Sequence, residues 1–228
     1  MKIGIVVTGK KADSLVTQLK TLGLNYYFQV LKSKNDYISE GIFDSDLIFL
    51  VTGDNYQEYR SEIKRLNTCF CICFVIGDGK TIKKDLRRAS FFHIEDKLQV
   101  ERIIGKAIYH LSVGLLCAQS SLWSIELGEL KKVLKEENSF QYEEVYKTET
   151  RAEYLASRIR NSSWYKDKRR PNVYISFVGG VTLNDIAIFS DNITAKSENF
   201  PLISISLATP NGESYSNEYS ALIVVSYD

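Results

Sequence analysis

The 228-residue sequence has no uninterrupted run of about 18 apolar residues, the length a helix needs to cross a bilayer, so no membrane insertion is expected. It also lacks a charge bias. Twenty-nine basic side chains against 28 acidic ones leave a formal net charge of +1, which removes the electrostatic ground for nucleic acid as a main partner. The opening MKIGIVV has neither the basic lead nor the apolar length of a secretory signal, and a cytoplasmic location is the expectation. Histidine is scarce: neither His93 nor His110 neighbours a Ser or Cys in a nucleophile motif. Of the four cysteines, Cys69, Cys71 and Cys73 alternate within TCFCICFVI and Cys117 stands alone. Zinc sites want two residues between paired thiols and a second pair beyond, so no metal is expected. The alternating thiols read instead as small apolar core residues on one face of a strand.

What is present is the composition of an ordinary globular protein, 44% hydrophobic and 25% charged. Short apolar runs, Lys2 to Thr8, Tyr26 to Leu31, Asp46 to Thr52 and Cys69 to Ile76, read as strands. Helical patterns at Ala12 to Leu22 and about Tyr56 to Leu66 lie between them. Near-continuous apolar strands alternating with helices predict a parallel sheet covered on both faces, a reduced Rossmann-like domain. From Glu95 to about Cys117 the longest amphipathic pattern predicts a central helix, with Leu98, Ile103, Ile104, Ala107, Ile108, Leu111 and Leu115 in its apolar stripe. Shorter helices are expected over Ile125 to Leu134 and Arg151 to Arg160. Residues Asn138 to Tyr146 read as a polar connection. Asn172 to Val178 is an expected strand and Leu183 to Ile193 a helix. Leu202 to Ala208 and Tyr219 to Tyr227 alternate, and the turn-rich PNGESYSNE between them suggests a hairpin in a mixed sheet.

Several strings in the second half occur together and in order: LWSIELGELKKVL, KTETRAEYLA, VYISFVGGVTLNDI and the terminal NEYSALIVVSYD. Together they resemble the FtsZ branch of the tubulin superfamily, whose catalytic loop carries Asn-x-Asp-x-x-Asp. Here Ser124, Glu126 and Glu129 stand at those positions. HIEDKLQV is similar to the entry of that family's central helix, and Asp96 matches the residue that can contact the guanine base. The resemblance implies a two-domain α/β fold: residues 1–94 a Rossmann-type domain, 95–120 a connecting helix, and 121–228 a mixed-sheet domain of FtsZ/tubulin type. It also implies head-to-tail filaments, a link to cell division, and partnership with itself or an FtsZ-type protein.

The departures shape the functional expectation. A loop that grips GTP needs glycines, because backbone N–H groups must converge on phosphate oxygens without obstruction by a Cβ. The loop after the first strand is Thr8-Gly9-Lys10-Lys11, and that after the third is Thr52-Gly53-Asp54-Asn55, each with one glycine. Asp54 would add a carboxylate beside a polyphosphate. The implied protein is a pseudo-GTPase that binds no cofactor and works through assembly. The alternative is a GTPase that uses Gly9, Gly53 and Asp96 for the nucleotide and supplies Glu126 and Glu129 to a neighbouring subunit. For the two glutamates the plainer reading is an acidic helix start favoured by the helix dipole. For Lys10-Lys11 and the run Lys166-Asp167-Lys168-Arg169-Arg170 it is a solvated basic loop.

Overall fold

The computed structural model describes residues 1–9, 12–23, 26–77, 80–94, 99–116, 125–145, 150–166, 171–194, 202–208 and 218–227. Lys10, Lys11, Asp96, Cys117, Ser124 and residues 167–170 lie outside them. The chain divides into two compact units: residues 1–109 with 136–138, and residues 110–135 with 139–228.

In the first unit β1 (Ile3–Thr8), β3 (Leu47–Thr52) and β4 (Cys71–Ile76) are apolar on both faces and buried almost throughout. β2 (Tyr27–Leu31) and β5 (Ser90–Ile94) flank them. The order is β2-β1-β3-β4-β5, every pair parallel, with Glu137 and Asn138 pairing alongside Phe91 and Phe92 at the β5 edge. Because side chains alternate across a strand, each strand serves two cores. Val6, Ile48, Leu50, Cys71, Cys73 and Val75 form one, beneath α2 (Glu40–Phe43), α3 (Arg60–Arg65) and α4 (Lys80–Asp85). Phe49, Phe74 and Phe92 alternate with them and stack in series, the last two with ring centroids 5.1 Å apart. α1 (Ala12–Thr21) buries Ala12, Leu15 and Leu19. The helix expected from Tyr56 begins earlier, as a 3-10 turn over Asp54–Tyr59 that feeds directly into α3. α2, α4 and β5 had no clear sequence signal, being only four to six residues long.

The long helix α5 spans Val100–Leu116, later than the expected start at Glu95. Gln99 has φ +66°, a left-handed conformation that a regular α-helix cannot pass through. Its residues through Tyr109 belong to the first unit and those from His110 to the second.

The second unit holds α6 (Leu127–Val133), most of β6 (Glu137–Val145), α7 (Arg151–Arg160), β7 (Asn172–Gly179), α8 (Leu183–Thr194), β8 (Leu202–Ala208) and β9 (Tyr219–Ser226). Two expectations are corrected here. Residues 137–145 form a strand, and β8 and β9 are not a hairpin. The order is β6-β9-β7-β8: β8 lies parallel to β7 and β9 antiparallel to it, so β7 separates them. β7 is buried along nearly its whole length and takes a neighbour on each edge. The ten residues between β8 and β9 exceed what stepping over one strand, about 10 Å, requires.

One face of β7 and β9, with Val173, Ile175, Phe177, Ala221 and Ile223, packs with Leu155, Ala156, Ile159, Ile186 and Phe189 of α7 and α8. The opposite face is partly polar. Tyr174 and Ser206 hydroxyls are hydrogen-bonded at 2.7 Å, and both crowd Gly114 of α5, where a Cβ would lie 2.7 Å from the tyrosine oxygen. His110 is fully buried, with Nδ1 3.1 Å from the Ser176 carbonyl and Nε2 2.9 Å from Ser220 Oγ. A carbonyl can only accept, so Nδ1 carries the proton and Nε2 accepts from Ser220. Its role is a satisfied core histidine.

Candidate functional site

In an open parallel sheet, ligands bind beyond the carboxyl ends of the strands, where the order reverses direction. In the order β2-β1-β3-β4-β5 that point lies between β1 and β3. Gly9 and Gly53 therefore sit on either side of one crevice, although 44 residues separate them.

Its floor is made by two threonines. Thr8 ends β1 and Thr52 ends β3; both are buried, and the Thr8 hydroxyl donates to that of Thr52 at 2.8 Å. The same hydroxyl lies 3.5 Å from Asn55 Oδ1. Gly9 has φ +89°, which a side chain rarely tolerates, and a Cβ there would lie 2.7 Å from Asn55 Nδ2 and 3.1 Å from Oδ1. The Asn55 amide thus rests on the Cα of Gly9. Gly53 is extended, with φ −140°, and a Cβ would make only ordinary contact with the Ile76 carbonyl at 3.4 Å.

Four main-chain donors at the strand ends are engaged within the chain. Gly9 N–H donates to the Leu31 carbonyl at 3.3 Å and Ala12 N–H to that of Gly9 at 3.2 Å. Tyr56 N–H donates to Gly53 at 3.0 Å, and Gly77 N–H, at the end of β4, to Ile94 at 3.0 Å. A phosphate cradle requires such groups to point at the ligand.

Sequence reasoning singled out the two glycines but not Thr8, Thr52 or Asn55. A signal for the threonines existed: Val-Thr-Gly closes both strands, in VVTGK and LVTGD. Nothing local marked Asn55, whose partner stands 46 residues away by subtraction of the two numbers.

Glu126 and Glu129 lie in the second unit, at the start of α6, and both are exposed. They form a capping box, in which the Glu129 carboxylate accepts the Glu126 N–H at 3.1 Å. This satisfies a donor that the helix leaves open.

Three of the strings that carry the resemblance converge on Arg151, at the start of α7. Its Nε donates to Asp185 Oδ1 at 2.8 Å, and its Nη2 donates to Asp185 Oδ2 and, at 3.3 Å, to the Gly180 carbonyl. The guanidinium carbon stands 5.3 Å from the centre of the Tyr219 ring. Asp185 also accepts from the Thr182 N–H at 2.8 Å and hydroxyl at 2.6 Å, while its own N–H donates back to Thr182 Oγ1 at 3.1 Å. Burial acts to raise the Asp185 pKa, but Arg151 and Thr182 outweigh it and the net shift is downward. Tyr219 is pushed up to about 12, first by burial and then by the Asp185 charge.

No protein-family model matches the chain, and no curated protein matches it in sequence. Solved structures do match. A variant of FtsZ from M. jannaschii superposes with a TM-score of 0.67 at 15% identity, covering 99% of this chain and 91% of that one. The GDP-bound monomer of CetZ1 from Haloferax volcanii gives 0.64 at 10% identity, covering 100% and 94%. TubZ from Clostridium botulinum phage c-st gives 0.60 at 10%, covering 100% and 93%. At such identities the likeness concerns the fold: this chain has the α/β fold of the tubulin/FtsZ type.

Proposed function

We propose that this chain is a tubulin/FtsZ-like protein that acts by assembling, with itself or with an FtsZ-type partner, and that it does not hydrolyse GTP. The observation that carries this reading is that four donors at the strand ends are already engaged. Gly9, Ala12, Tyr56 and Gly77 each give their N–H to a carbonyl of the same chain. For any of them to hold a triphosphate, an internal hydrogen bond would first have to break, and for Gly9 the fully buried Leu31 carbonyl would lose its partner. These engaged donors speak against a guanine nucleotide held by the amides of Gly9, Ala12, Tyr56 or Gly77. GDP is bound by CetZ1, with the same fold, so this reading makes the present chain a departure within the fold.

The rival GTPase reading needs Glu126 and Glu129 to serve a neighbour's nucleotide in trans. Their capping box gives both a local task that requires no neighbour.

Isothermal calorimetry with GTP tests the proposal. Affinity no tighter than about millimolar, a binding free energy of about −4 kcal/mol, is expected, with no phosphate release. Micromolar affinity or steady turnover would overturn it. Sedimentation alone and with an FtsZ added then separates self-assembly from partnership.

A further inference from the structure

Gly9 looks like the remnant of a phosphate-binding loop, but its immediate surroundings give it another use. Asn55 presents its side-chain amide to the bare Cα of Gly9, with Nδ2, Oδ1 and Cγ at 2.7, 3.1 and 3.2 Å from where a Cβ would stand. A side chain there would have to displace the Asn55 amide from this position, and the φ of +89° would strain it besides. Asn55 follows β3, Gly9 follows β1, and the two threonines below join the same strands by a hydroxyl–hydroxyl bond. An amide offers both donors and an acceptor, so it can satisfy a crevice lined by hydroxyls and main chain without adding charge.

We infer that Asn55 is a built-in occupant of the β1/β3 crevice, and that Gly9 is glycine in order to admit it. The crevice is held closed from within, so the β1–β3 junction stays in one arrangement whatever nucleotide is present. This deepens the non-catalytic reading and rests on it, yet the two can fail separately.

The test is a double-mutant cycle on the full chain with Gly9→Ala, Asn55→Ala and the pair, read by thermal unfolding. Gly9→Ala should lower Tm by roughly 10 °C, part from the positive φ and part from collision with Asn55. In the Asn55→Ala background the collision is gone, and the same change should cost roughly half as much. Additive losses would overturn the inference. Should Gly9→Ala fail to fold, hydrogen exchange on Asn55→Ala decides. Faster exchange at the Gly9 and Ala12 amides supports the inference and unchanged exchange sinks it. Thermal unfolding of the wild-type chain should be the same with GTP, with GDP and without either; a nucleotide-dependent rise in Tm would refute a crevice held closed from within. If GTP does not bind and the cycle is additive, only the role of Asn55 falls. If GTP binds at micromolar concentration, the non-catalytic reading falls with it.

Discussion

Each unit is tied together by one buried aspartate, and the two are held differently. In the first, Asp85 accepts from Arg60 Nε at 2.6 Å and Nη2 at 3.0 Å, pairs with Lys64 at 3.1 Å, and receives the Tyr56 hydroxyl. In the second, Asp185 is gripped by Arg151 and capped by Thr182. Both carboxylates are almost fully buried, at 6% and 7% exposure. Their cations are not alike. The Arg60 and Lys64 side chains are 45% and 47% exposed, whereas Arg151 is 13%. Removing Asp85 leaves cations that can turn to water; removing Asp185 takes the carboxylate from a guanidinium that is mostly buried. The worth of an ion pair thus depends less on its distance than on where the surviving partner can go.

That contrast can be broken at several points. Asp185→Ala should have the largest effect, about 3–5 kcal/mol, because Arg151 is left buried and α8 loses its capping box at once. Urea unfolding followed by Trp164 fluorescence, a probe within the same unit, measures it. A loss below about 1 kcal/mol would remove the distinction between the two units. Asp85→Ala should cost less, about 2 kcal/mol, mostly from the Tyr56 hydroxyl left without its acceptor. Hydrogen exchange in β4 and α4 reports it. Equal or greater loss than for Asp185→Ala would reverse the comparison.

Acid gives the smallest effect. Arg60 first among its partners holds the Asp85 carboxyl below the usual range, and Arg151 with Thr182 does the same for Asp185. A depressed folded-state pKa contributes stability that is fully present above the unfolded value, near 4, and is lost as pH falls through the folded value. Between pH 4 and pH 3 the Asp85 carboxylate should therefore remove about 1 kcal/mol, and Asp185 should change stability in the same direction. A denaturation midpoint that stays flat over that interval would contradict both assignments.

Some of this architecture was plain in the chain and some was hidden. β1, β3 and β4 were legible because strands buried on both faces need unbroken apolar runs, and those runs have few other uses. β6 was not: ENSFQYEEV mixes exposed and buried positions with polar side chains, and its Asn138 is buried by donating to the Phe91 carbonyl rather than by being apolar. The false hairpin had a similar origin. Turn-rich residues marked where the chain reverses, but strand adjacency depends on which edge of β7 each strand finds. At the candidate site Gly9 and Gly53 were visible as punctuation, and the occupant between them was not. Glu126 and Glu129 were visible too, as an acidic helix start, but the capping box they form emerged only from the structure.

Apolar periodicity by itself determined an α/β chain, because burial follows from what side chains are made of, while the tubulin/FtsZ type was legible only as a resemblance carried by a few short strings in order. Only the tertiary structure decided how the donors and hydroxyls at the strand ends are used. Thr8 meets Thr52 across 44 positions of sequence, and Gly9 meets Asn55 at a comparable remove. A hydrogen bond requires its two atoms within about 3 Å, a condition that distance along the chain does not express.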